Sequence, residues 1–260
     1  MTPDDLSRLL DRFSRPGVPK YTALRDAIAY GVSTGAFASG DRVPNEQELA
    51  SQLPISLGTI QRALRVLVDE GLIQRRPGHG SFIADRPQQG EMSQPFHCRF
   101  VDDSGKAYLP VFPKALSRRV LAGPGEWTPW LGGGECLEIT RRIGIGSEFS
   151  VYSTFIVNHH RLPVFADLPL ARLSGENFKE VIFRMAGQTI QRVDLFLRQQ
   201  TAPPAIAKML KVVPQTLCQS IRAVAFLSES DAVYYQQIFI PPNARELHVI
   251  TDSRSRGLLR

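Results

Sequence analysis

Arg62 and Arg65 stand on one side of a stretch, Ser56 to Glu70, whose other side is made of Ile60, Ala63, Leu64, Leu67 and Val68. Guanidinium groups spaced this way offer forked donors to phosphates and guanine edges, and Gln61 beside them carries the donor and acceptor that match adenine. The first turn, Ser56-Leu57-Gly58-Thr59, presents free backbone amides and a positive helix end to an anion. Arg75, Arg76 and His79 add basic groups a few residues later. From Ser56 to Ala84 the local charge is +2, whereas from Lys20 to Ile55 it is −1. The positive charge is therefore polarised toward the face that carries Arg62 and Arg65, as a polyanion-binding surface requires.

A second group of candidates lies further on. Arg141 sits among apolar residues in Leu137-Glu138-Ile139-Thr140-Arg141-Arg142, and an arginine so placed either pairs with an internal acid or awaits an anion. Tyr152, Tyr234 and Tyr235 line either a pocket or a core. His159 and His160 are adjacent on a strand-like segment and point to opposite faces, so they make poor joint metal ligands. No grouping assembles a nucleophile, a base and oxyanion donors, and there is no glycine-rich phosphate loop or Cys-x-x-Cys spacing. We expect no enzymatic activity, no metal and no cofactor.

The elements that position the first group are legible from periodicity. Tyr21, Leu24, Ile28 and Val32 recur at helical spacing until Gly35 and Gly40 interrupt it. Asn45 followed by Glu48 is a capping-box signature for a second helix, in which Gln47 is a polar candidate on the exposed side. Pro54-Ile55 makes a tight connection, Ser56 caps a third helix, and Gly71 ends it. Two short helices so joined are a helix-turn-helix. Leu72–Arg76 and Ser81–Ala84, around Pro77-Gly78-His79-Gly80, read as a two-stranded wing.

The chain has 260 residues, 43% hydrophobic and 22% charged, with a formal charge of +6. That length accommodates two ordinary domains. Residues 1–18 read as a flexible arm, 19–84 as the DNA-binding domain and 85–97 as a polar, proline-containing linker. Residues 98–252 form an effector-binding and dimerisation domain, and 253–260 a tail. Within 98–252, β-branched and aromatic segments near 107–120, 135–145, 148–158, 189–201, 216–228 and 232–240 alternate with helical stretches near 176–186 and 203–211. The fold class is therefore mixed α/β in two domains: a winged helix-turn-helix, then an antiparallel sheet with helices packed on it. No apolar run is long enough to span a bilayer, the start carries acids where a signal peptide carries bases, and three scattered cysteines fit a reducing compartment. We expect a cytoplasmic protein.

Residues 19–84 resemble the DNA-binding domain of the GntR superfamily of bacterial regulators. The resemblance rests on Gly40-Asp41-Arg42-Val43-Pro44, Glu48-Leu49-Ala50, Ser56 with Thr59, Ala63-Leu64, Leu67, Glu70-Gly71-Leu72-Ile73, Gly78, Gly80 and Phe82. It implies that Asn45, Gln47, Ser56, Leu57, Gly58, Thr59, Gln61, Arg62, Arg65, Arg76, Gly78 and His79 form the DNA-binding surface. Leu57, Gln61 and Gln47 stand where relatives commonly carry basic residues, and Pro54 where they favour glycine, so the operator and the turn should both depart from the family pattern. Beyond residue 98 the order of elements is similar to the UTRA effector domain of the HutC subfamily, whose fold is shared with chorismate lyase. That similarity implies an effector contact by Arg141, with Tyr152 and Tyr234 beside it. The function implied is a homodimeric regulator, a repressor that leaves its double-stranded operator when a small anionic or aromatic molecule binds. The alternatives are a C-terminal domain that only dimerises, or a lyase-like enzyme domain joined to a DNA-binding module.

Overall fold

A computed structural model describes residues 3–84, 98–105, 107–174 and 176–249. The chain divides into two compact units, one built mainly on the residues up to 84 and the other mainly on those from 111 onward. The proposed linker and tail, 85–97 and 253–260, lie outside the described residues, as do 250–252.

The first unit contains helices α1 (Pro3–Phe13), α2 (Lys20–Ser33), α3 (Glu46–Gln52) and α4 (Leu57–Asp69). Strands β1 (Arg42–Val43), β2 (Ile73–Arg76) and β3 (Gly80–Ile83) form a small sheet in the order β1-β3-β2. Its core joins Leu24 and Ile28 of α2, Leu49 of α3 and the α4 stripe Ile60, Ala63, Leu64 and Leu67. Gly31 is required by packing, because a Cβ there would lie 2.3 Å from the Phe37 ring.

The expectation of a loose arm over 1–18 is corrected. Leu6, Leu10 and Phe13 of α1 are buried in the same core, and the Phe13 and Tyr30 rings lie 5.4 Å apart. Arg12 Nη1 donates to the Tyr30 hydroxyl at 2.9 Å. The spacing of Leu6, Leu9, Leu10 and Phe13 is itself an amphipathic helix, and Pro16-Gly17 turns the chain back into α2 rather than releasing it.

The second unit is a six-stranded antiparallel sheet in the order β5-β6-β7-β10-β9-β8. Its strands are β5 (Val111–Leu121), β6 (Cys136–Ile145), β7 (Phe149–Asn158), β8 (Arg192–Thr201), β9 (Leu217–Phe226) and β10 (Ala232–Ile240). A two-stranded ribbon pairs β4 (Cys98–Phe100) with β11 (Leu247–Val249). One sheet face carries Ile139, Phe155 and Tyr234 and is covered by Phe165 of α6 (Val164–Asp167) and by Phe178, Val181 and Ile182 of α7 (Phe178–Ala186). The other carries Ile156, Val224 and Tyr235 against the tryptophans around α5 (Thr128–Leu131). On that same face α8 (Pro204–Leu210) packs near Phe239.

The packing of α1 predicts that Leu6→Ala costs about 2–5 kcal/mol of stability, the range for an emptied buried leucine site. Urea unfolding of the parent and the variant measures this; equal midpoints would show that α1 does not contribute to the core.

Candidate functional site

The α3-turn-α4 module closes as its residues require. Asn45 Oδ1 accepts from the Glu48 amide at 2.8 Å while Glu48 Oε2 accepts from the Asn45 amide at 2.7 Å, the reciprocal capping box. Pro54 has no amide and a fixed φ, and the turn is made across it: the Ile55 amide donates to the Leu53 carbonyl at 2.7 Å. Ser56 stands at the N-cap of α4, yet its hydroxyl bonds the Thr59 hydroxyl at 2.8 Å rather than a backbone amide.

Because Ile60, Ala63, Leu64 and Leu67 are buried, Leu57, Gly58, Gln61, Arg62 and Arg65 emerge on the opposite side, all exposed. Leu57 at 40% exposure is an apolar side chain on an otherwise polar face. Arg62 is steered by Tyr21 of α2, whose ring lies 3.9 Å from the guanidinium carbon. Gln61 Nε2 donates to Glu46 Oε2 at 3.3 Å, and Arg75 Nη2 donates to Glu46 Oε1 at 3.1 Å. One carboxylate on α3 thus holds side chains from α4 and β2.

On the wing, Arg76 lies over the Phe82 ring, 4.7 Å from its centroid. Gly78 and Gly80 take φ of +76° and +105°, which the tight turn needs and glycine supplies. Exposed Asn45, Gln47, Gly78 and His79 complete the residues expected on this surface. The sequence reading missed Tyr21, Glu46 and Arg42. β1 pairs with β3, which brings Arg42 opposite Phe82 with its Nε beside Gly80. The signal for Arg42 was the wing's third strand, only two residues long and too short for periodicity to reveal.

In the second unit Arg141 is fully enclosed, 0% exposed. Its guanidinium carbon lies 3.8 Å from the Phe178 ring centroid, and Nη1 donates to the Glu176 carbonyl at 3.3 Å. Burial pushes its pKa down to about 9, opposed by nearby Tyr234, so the group stays charged at neutral pH. Arg141 opposes Ser153, whose hydroxyl accepts from buried Gln236 at 2.8 Å. Asn177, the N-cap of α7, is also buried; its Oδ1 accepts from the Lys179 amide, and its Nδ2 has no hydrogen-bond partner among the described residues.

The expectation that Arg141 and Tyr152 share a pocket is overturned. Tyr152 opposes Arg142, on the other sheet face, and packs with Phe239, Ala207 and Leu210. The cause is the connection between β6 and β7. A two-residue turn at Gly146-Ser147 would place Arg141 opposite Tyr152, but the loop has three residues, 146–148, and Ile145 opposes Phe149. A one-residue slip sends every side chain of a strand to the other face. Tyr234 does lie on the Arg141 side; Tyr235 turns to the opposite face, where its hydroxyl donates to Glu126 at 2.9 Å.

Burial pushes the Tyr234 hydroxyl above its ordinary pKa, and for Tyr235 burial and then the bond to Glu126 do the same. Both raised values contribute stability that is present below about pH 10, the unfolded value, and is lost as pH rises beyond it. A Tyr234→Phe/Tyr235→Phe variant should therefore lose less stability than the parent between pH 9 and 11. Urea midpoints across that range check it; parallel losses in parent and variant would contradict it.

Residues 20–83 match the family described as bacterial regulatory proteins, gntR family. The histidine utilization repressor of Pseudomonas aeruginosa is 38% identical over 88 residues, 34% of this chain and 35% of that protein. The repressor of the same description from Klebsiella aerogenes is 40% identical over 74 residues, 28% of this chain and 31% of its own. The matches thus span about a third of the length of these relatives. Among solved structures, a domain described as the ligand-binding domain of a GntR-family transcriptional regulator from Bordetella bronchiseptica aligns with 59% of this chain and 96% of its own, at a TM-score of 0.50 and 18% identity. That likeness concerns the fold alone. The helix-turn-helix and wing thus fall within the residues that match the gntR family of bacterial regulatory proteins.

Proposed function

We propose that the protein is a homodimeric transcriptional repressor that leaves a pseudo-palindromic operator when a small anionic molecule binds its sheet domain. The observation that carries this reading is the exposed face of α4, opposite a fully buried stripe and flanked by a basic wing, within a gntR-family domain. A helix held that way enters the major groove with its first turn toward the bases. Gln61 and Arg65 read base edges, Leu57 touches a thymine methyl group, and Arg62, Arg76, His79 and the amides after Ser56 hold phosphates. Asn45, Gln47, Gly58, Thr59 and Gly78 complete the surface. One such module reads only a few base pairs, so two-fold pairing on two half-sites supplies the rest of the specificity.

The family match covers residues 20–83, so it bears on how DNA is held and not on which ligand is sensed. For the sensing site we propose Arg141 with Tyr234, Ser153 and Asn177, beneath the amino-terminal turn of α7. A charged group taken wholly out of water is costly, and an anion delivered to Arg141 offsets that cost. Because the guanidinium is enclosed, entry requires the turn that carries Glu176 and Asn177 to move. That displacement gives ligand-bound and ligand-free states different free energies, which regulation demands. A coupling of about 1–3 kcal/mol, roughly 5-fold to 150-fold in operator affinity, is sufficient. Full enclosure of Arg141 also favours a second reading, in which it is structural and the sheet domain only dimerises.

Fluorescence anisotropy on DNA upstream of the protein's own gene tests the first half. Arg65→Ala and Arg62→Ala should each weaken binding by about 1–3 kcal/mol while unfolding as the parent does. Leu64→Ala should instead lose about 2–5 kcal/mol of folding stability. Parent-like DNA binding by both arginine variants would remove the proposed reading face.

For the second half, small anionic metabolites are screened for release of the parent from that DNA. Arg141→Met should keep the ligand-free DNA affinity and lose the response. A full response in Arg141→Met, or no release of the parent by any compound, would favour the structural reading.

A further inference from the structure

The two edges of the six-stranded sheet are finished differently. At β5 the Ala115 amide donates to the Ser174 hydroxyl at 3.1 Å, and Arg118 reaches across to the carbonyls of Phe165 and Leu168. That edge is covered. At the other, β8 has β9 as its only neighbour among the described strands and runs ten residues without a proline. Its register against β9 has no bulge. Phe196 (39% exposed) and Leu197 (48% exposed) stand on its opposite faces. A long, regular edge carrying apolar side chains is a template for another strand, and proteins that do not use such an edge block it.

We propose that β8 pairs antiparallel with β8 of a second copy of this chain, with the two-fold axis through Phe196. This rests on the homodimer proposed above and names its interface. Backbone groups pointing away from β9 recur at every second residue, so in self-pairing each residue opposes one of its own parity. The axis therefore passes through a residue, not between two. Through Asp194 or Arg198 it would set that charge against itself, and through Leu195 it would set Arg192 against the partner's Arg198. Like charges directly opposed are unfavourable. Through Leu197 it would leave Asp194 facing the partner's Gln200.

Through Phe196, Asp194 faces the partner's Arg198 twice, Leu195 faces the partner's Leu197 twice, and the two Phe196 rings meet. Arg198 has no acidic partner among the described residues, and Asp194 is held ready by Arg192 Nε at 3.1 Å. Phe196 is backed by Arg222, whose guanidinium carbon lies 4.3 Å from its ring centroid, and by Trp130 at 6.0 Å. The second copy thus finds a preformed aromatic platform and a complementary charge on each side of the axis.

The test uses the full chain. Directly opposed residues have Cα atoms about 4.5–5.5 Å apart, within disulfide reach, so Phe196→Cys should oxidise to a crosslinked dimer. Gln200→Cys, which this register holds roughly 26 Å from its own copy, should not crosslink. In sedimentation, Asp194→Arg and Arg198→Asp should each raise the dimer dissociation constant at least 10-fold. The doubly exchanged D194R/R198D variant should restore it, which separates lost pairing from misfolding. A dimeric parent whose Phe196→Cys variant fails to crosslink, and whose single charge variants remain as dimeric as the parent, overturns this interface and leaves the homodimer standing. A parent that is monomeric at micromolar concentration overturns both.

Discussion

Burial of Ile60, Ala63, Leu64 and Leu67 is the constraint on which the first unit depends. A helix advances about 100° per residue, so fixing one stripe inward fixes the opposite stripe outward without further specification. α2 and α3 supply the apolar groups that receive α4, the capping box sets where α3 begins, and the γ-like turn across Pro54 sets the distance between them. Tyr21 and Glu46 then act on side chains that the core has already aimed. Tyr21 narrows the positions open to Arg62, and Glu46 restrains Gln61 and Arg75 with one exposed carboxylate. Exposed pairs of that kind contribute little to stability, about 0–1 kcal/mol, so their value is orientation rather than folding. On the proposed reading, DNA entering this surface would displace or share the Glu46 contacts and so favour sequences that satisfy Gln61 better than the carboxylate does.

In the second unit alternation does the same work with a period of two. It divides the sheet into a face under α6 and α7, which holds Arg141, Ser153, Tyr234 and Gln236, and a face under α5 and α8, which holds Tyr152 and Tyr235. Arg141 is the expensive member of this arrangement. Its charge is met by the Phe178 ring and the Glu176 carbonyl at the start of α7, and by neighbouring polar groups on β7 and β10. The proposed sensing site places an anion at this buried charge, where it would change the electrostatic balance more than a neutral contact does.

The sequence disclosed these arrangements unevenly, for physical reasons. The α4 stripe, the Asn45–Glu48 box and the wing glycines are local, and residues a few positions apart determine them. The six long strands and α7 and α8 lie close to where their composition placed them. α1 was visible in the spacing of Leu6, Leu10 and Phe13, but proline and glycine after it outweighed that signal, although they end a helix without loosening it. The Glu46 contacts join residues 15 and 29 positions apart, beyond any local pattern. The separation of Arg141 from Tyr152 turned on whether one hairpin loop has two residues or three, a difference that reverses a whole strand and leaves composition unchanged.

The central claim is that the first turn of α4 enters the major groove of each operator half-site. Leu57 is exposed at that turn and lies outside the core, so Leu57→Cys accepts a tethered cleaving reagent, an iron chelate that cuts neighbouring DNA. The native cysteines Cys98, Cys136 and Cys218 are buried, which directs labelling to position 57. With the labelled protein bound, the account predicts two cleavage clusters in the operator, each centred on a major groove and separated by about one helical turn or a multiple of it. Cleavage confined to the minor groove, or scattered without two-fold symmetry while affinity is retained, would contradict it.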